Sequence, residues 1–109
     1  MPELTPEHIA ALERLRNAGF SLAAFPMCAN HVGVKRGNCA ALLTPAVSGA
    51  LELYGEPCYL VNGSLSVRVR RDGREWFVWK KAQIEATAGR IAEVARFRKE
   101  LESALAIQG

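Results

Sequence analysis

Long apolar runs are missing from this sequence: no stretch approaches the roughly eighteen uninterrupted apolar residues that a membrane-crossing helix needs. A membrane-spanning role is therefore not expected. The opening MPELTPEH has no basic stretch followed by an apolar run, so no secretory signal is expected either and the chain reads as cytoplasmic. Histidine is scarce, at two residues, which leaves few general acid–base options. Cysteine is limited to Cys28, Cys39 and Cys58. Three thiols cannot all pair within one chain; the number fits a reducing compartment in which small thiols pack as apolar side chains, and no structural disulfide is expected. The patterns GxGxxG, GxxxxGK[ST] and GxSxG are absent, which removes the better-known nucleotide and esterase signals.

What is present describes one folded unit. A chain of 109 residues can bury one hydrophobic core but not two ordinary ones, so residues 1–109 are taken as a single domain. Half the residues are apolar and 23% are charged, a globular balance far from that of disordered chains. The net charge of +3 is mildly basic and by itself selects no partner.

Both ends carry helical signals. In LTPEHIAALERLRNAG, Thr5 can cap, Pro6 suits the first helical position and Glu7 lies at the positive end of the dipole. Leu4 and Ile9 are spaced for a hydrophobic staple, Ile9, Ala11, Leu12 and Leu15 form a stripe, and Gly19 offers a stop. After Ile84 a helical period returns, with Thr87 as cap and Ile91, Val94, Phe97, Leu101, Ala104 and Leu105 on one side. Glu93 with Arg96, Arg96 with Glu100 and Arg98 with Glu102 are spaced for weak pairs on the solvated side.

Between the helices, short apolar runs alternate with turn residues at 35–38, 55–57, 62–63 and 72–73. Strands are expected near 20–25, 32–36, 39–44, 50–54, 58–61, 65–71 and 74–81. The expected fold is α+β: an antiparallel meander of about five to seven strands with an N-terminal and a C-terminal helix on one face.

The segment RVRRDGREWFVWKK carries the strongest functional signal. Asp-Gly tolerates the positive φ values of a tight hairpin turn, so Asp72 and Gly73 set a register in which Arg71 faces Arg74 and Val67 faces Val78. One face then presents Leu65, Val67, Val69, Trp76 and Val78, which suits packing beneath the helices. The other presents Ser66, Arg68, Arg70, Glu75, Phe77, Trp79 and Lys81. Exposed rings ringed by arginine suit burial against a second copy of the chain, with Phe77 and Trp79 at the centre and Arg68, Arg70 and Lys81 at the rim. The same face could grip single-stranded nucleic acid by stacking and phosphate neutralisation. The simplest alternative to both is a self-satisfied ribbon in which Arg68 lies over Phe77 and Arg70 pairs with Glu75.

Other candidates carry less. Cys28, His31, Cys39 and Cys58 have metal-capable atoms, but the paired close spacings of a zinc knuckle are absent. Activation of a cysteine by His31 would require them to meet in the fold. Glu52 and Glu56 beside Tyr54 read as solvated carboxylates, and Lys35-Arg36-Gly37-Asn38 as a basic turn that could hold an anion. A curved sheet under a helix could also leave a pocket for a small apolar ligand, lined by Tyr54, Cys58 and Tyr59. The expectation is a non-enzymatic interaction domain, dimeric, without metal or cofactor, with nucleic-acid binding and small-ligand binding as alternatives.

Overall fold

Positive φ values mark where the chain reverses between its strands. Asp72 and Gly73 sit at 54° and 76°, and Asn62 and Gly63 at 51° and 74°. Such pairs twist with the flanking strands, as hairpin loops of two residues require. In the computed structural model, which describes residues 4–23, 25 and 31–106, the elements run α1 (Pro6–Asn17), β1 (Ser21–Ala23), β2 (Val32–Arg36), β3 (Cys39–Pro45), β4 (Leu51–Tyr59), β5 (Val67–Arg71), β6 (Arg74–Trp79), β7 (Ala82–Glu85) and α2 (Ala88–Ala106). The class is α+β and all strand pairing is antiparallel. The strands form two sheets, β1-β2-β3-β4 and β5-β6-β7, where one meander was expected.

Two differences from the expected strands have local causes. The runs at 50–54 and 58–61 join into the single strand β4, which absorbs Gly55, Glu56 and Pro57 as a bulge: pairing steps from Ala40↔Cys58 to Leu42↔Tyr54. The run at 74–81 ends at Trp79 because Lys80 takes a φ of 53° and turns the chain into β7. The alternation Ala82, Gln83, Ile84, Glu85 is the two-residue period of a strand.

α1 starts as its capping residues require. Thr5 accepts from the His8 backbone N–H, and the His8 ring returns a contact to the Thr5 N–H through Nδ1 at 3.0 Å. His8 thus takes the capping-box position, and its Nε2–H donates to the Ala46 carbonyl at 2.8 Å, tying the helix to the loop before β4. The ring is 3% exposed, whereas Ile9, expected on the buried stripe, is 49% exposed. Replacing His8 with alanine removes half the box and orphans the Ala46 carbonyl. We expect His8→Ala to lower unfolding free energy by about 2 kcal/mol, read from urea denaturation, and His8→Gln, which retains an N3 amide, to cost less.

α2 starts at Thr87, whose hydroxyl accepts from the Arg90 N–H at 3.3 Å. Its apolar side serves both sheets. Phe97 and Leu101 join Leu12 and Leu15 of α1 and Val32, Val34, Cys39, Ala41, Leu43 and Leu51 of the first sheet in one core. Ile91 and Val94, one to two turns earlier, pack on a second, smaller core of Val61, Phe77 and Ala86. Helices this long gain most of their stability from such tertiary packing, so α2 acts as the spine that holds two sheets in one molecule.

Candidate interaction face on the second sheet

The β5–β6 register is Arg71↔Arg74, Arg70↔Glu75, Val69↔Trp76, Arg68↔Phe77 and Val67↔Val78. Side chains at alternate positions therefore separate into the two expected sets. Their directions are the reverse of the expectation. Phe77, expected to project into solvent, is 2% exposed and lies beneath α2, stacked on Tyr59 at 5.5 Å between ring centroids. Trp79 packs against the same core, with Lys80 Nζ 5.2 Å from its ring centroid. The reason is β7, which pairs Ile84 with Phe77 and Ala82 with Trp79, so the Phe77 side becomes the continuous apolar side once the third strand is counted.

The remaining residues of the expected site disperse. Arg68 pairs diagonally with Glu75, Nε to Oε1 at 3.3 Å, in place of the expected Arg70–Glu75 pair. Arg70 is exposed at the free edge of the sheet, and Lys81 lies in the turn between β6 and β7. These side chains, the buried Phe77 ring and the half-buried Trp79 ring do not form one solvent-facing patch.

The opposite face is the less covered one. Val67, Val69, Trp76 and Val78 belong to neither core formed by the described residues; Val67 is 66% exposed, and Val69, Trp76 and Val78 are half-buried. Pairing sets Gln83 beside Val78 and Glu85 beside Trp76 on this same side. The result is an indole on the central strand, three valines around it, Arg71 and Arg74 at the hairpin end, and Glu85 on the far strand. Among the described residues neither Arg71 nor Arg74 has an ion-pair partner. Reading β7 as a strand would have found this face, because it assigns the polar Gln83 and Glu85 to the Trp76 side.

No family model, curated protein or solved structure matches the chain.

Among the described residues, His31, Cys39 and Cys58 do not converge on one point. His31 stacks on Tyr54 with ring centroids 4.0 Å apart, and Cys58 accepts from the Ser66 N–H at 3.4 Å; Cys28 lies outside the described residues. No group of three metal-capable side chains converges among the described residues. Arg36 of the basic turn is engaged: it donates to Ala18 and Glu100 and sits 4.3 Å from the centroid of the Phe20 ring. Asn38 donates to Glu93 at 3.3 Å. Glu93 and Glu100 are thus drawn to the first sheet, and of the three helix pairs expected only Arg98–Glu102 forms, at 3.3 Å. Glu56 pairs with Arg98 at 2.6 Å.

The two described thiols suit packing better than nucleophilic attack. Burial, reinforced by the Glu93 carboxylate, pushes Cys39 up to about 12, and burial also raises Cys58. Both stay protonated near neutral pH. Cys39 also makes stability depend on alkalinity. Above the ordinary thiol value the unfolded chain releases a proton that the folded chain retains until about pH 12, so its contribution falls as pH rises through that window. We expect the urea midpoint to decline between about pH 9 and 11, and to decline less steeply in Cys39→Ala; parallel pH profiles would contradict this coupling.

Proposed function

We propose that the chain is a non-enzymatic interaction domain that self-associates through the side of the β5-β6-β7 sheet left open by α2. The observation that carries this reading is the placement of Val67, Val69, Trp76 and Val78 together outside both cores. The contact is thus moved from Phe77 and Trp79 to the side on which Trp76 lies.

A second copy suits the chemistry of this face. A two-fold axis along β6 would lay β5 of one copy over β7 of the other, bringing Arg71 toward Glu85 while the indoles and valines close the centre. Three strands about 4.8 Å apart and five residues long offer a footprint of only about 15 by 17 Å. A stable interface usually buries about 800 Å² per partner, so weak association is expected, with a Kd on the order of 100 µM.

Single-stranded nucleic acid is the second reading, favoured by Arg71 and Arg74, which have no ion-pair partner among the described residues, beside the half-buried Trp76 indole. Burial of Phe77 removes one of the two rings on which stacking was expected to rest, which places this reading behind self-association.

Sedimentation equilibrium distinguishes them. For self-association the weight-average mass should rise from 11.9 kDa toward twice that as concentration increases, and Glu85→Arg should weaken the rise by removing the acid opposite Arg71. For nucleic acid, Glu85→Arg should strengthen binding of a mixed-sequence single-stranded oligonucleotide, and added salt should weaken it steeply. A monomeric mass throughout, with no oligonucleotide bound at low salt, would remove both.

A further inference from the structure

A second opening lies where β4 and β5 part. The chain between them closes a tight hairpin, with Val61 bridged to Ser64 around Asn62 and Gly63. The arms are still joined one step further on, where the Ser66 hydroxyl donates to the Tyr59 carbonyl at 2.6 Å and the Ser66 N–H reaches Cys58 Sγ at 3.4 Å. Beyond that point the arms enter different sheets and splay. The gap is a cleft of about 400 Å³ walled by the β4 bulge on one side and the start of β5 on the other, with Phe77 and Val94 among its lining. That volume is in the range of sites for small molecules, roughly 300–1,000 Å³.

The walls restrict what can enter. An added peptide strand would need a regular ladder edge, but Pro57 has no N–H to offer and Gly55, at a φ of 67°, kinks the strand out of register. Pro57, Cys58, Val94 and Phe77 present apolar surface. Most polar groups at the cleft are already committed: Glu56 is bound to Arg98, and Ser66 Oγ to the Tyr59 carbonyl. Arg68 differs. Its contact with Glu75 runs from Nε at 3.3 Å, and its two Nη groups make no hydrogen bond among the described residues. An apolar slot with one guanidinium still holding paired donors is complementary to a carboxylate on a short apolar body.

We propose that the cleft between the splayed β4 and β5 binds a small amphipathic carboxylate, its apolar part against Phe77, Val94 and Pro57 and its carboxylate on the Arg68 Nη groups. The cleft shares Val67 with the edge of the Trp76 side of the sheet, but its other lining residues lie off that face and binding does not depend on association of two copies.

Titration of the full chain with octanoate, followed by ¹⁵N–¹H spectra, tests the site, with 1-octanol and octylammonium as neutral and cationic probes of the same length. Octanoate should perturb residues 56–58, 66–68, 77 and 94 and bind about tenfold more tightly than octylammonium. Arg68→Gln, a change at a half-exposed side chain, should cost octanoate about tenfold and leave 1-octanol unchanged. Val94→Phe, which fills the slot, should weaken both. Equal binding of octanoate and octylammonium, no binding of octanoate, unchanged affinity in Arg68→Gln, or shifts confined to the Trp76 face would each overturn the proposal.

Discussion

Trp76→Glu is expected to leave the chain folded and to hold it as a monomer at concentrations where the wild type associates. Trp76 stands on the central strand of the open face, and Glu85 already occupies the adjacent position on β7. A second carboxylate there removes the largest apolar surface of the proposed contact and sets like charges at its centre. Central aromatic residues commonly dominate such contacts, so a loss of at least about tenfold in association is expected. Because Trp76 is half-buried and joins neither core, the unfolding free energy should fall only modestly, by about 1–2 kcal/mol. Sedimentation and urea denaturation of one preparation separate the two effects.

Phe77→Ala should do the opposite. The ring is 2% exposed, stacked on Tyr59 and enclosed with Val61, Ala86, Ile84, Ile91 and Val94. Truncating a phenyl group in such a place costs about 3–5 kcal/mol through lost burial and the cavity left behind. A domain of this size commonly has about 5–15 kcal/mol in total, so this one change removes a large fraction of it. A fall in Tm of about 15 °C or more is expected by calorimetry. The second core is small, so its loss should free β5, β6 and β7 before the first sheet. Hydrogen exchange in the variant should accordingly rise most in residues 67–85. If Phe77→Ala changed association and spared stability, the ring would have to face solvent after all.

The adjacent residues Trp76 and Phe77 show how much of this was legible in the sequence. Asp72-Gly73 specifies its own turn, and the turn sets which residues stand opposite one another, so the β5–β6 register follows from local chemistry. The cap at Thr5 and the apolar side of α2 are local in the same way. Which side of a hairpin faces inward is not local. Both sides of β5–β6 carry apolar residues, and the balance is decided by β7, with Ile84 and Ala82 placed beside Phe77 and Trp79. The alternation in AQIE was available to reveal that strand. The division into two sheets depends on how the chain parts beyond the Asn62–Gly63 turn, and α2 bridges the parts only because its apolar stripe is long enough to cover both. His8 illustrates a further limit: nothing local to the first turn of α1 reveals the carbonyl that the loop at Ala46 brings to its ring.

The open side of the second sheet can be tested most directly by recording ¹⁵N–¹H spectra of the full chain over a dilution series. Resonances of residues 67–71, 74–79 and 82–85 should shift together with concentration, Trp76 the most, while those of α1 and of β2 and β3 stay in place. Spectra that do not change with concentration, or changes centred on the first sheet, would contradict self-association through this face.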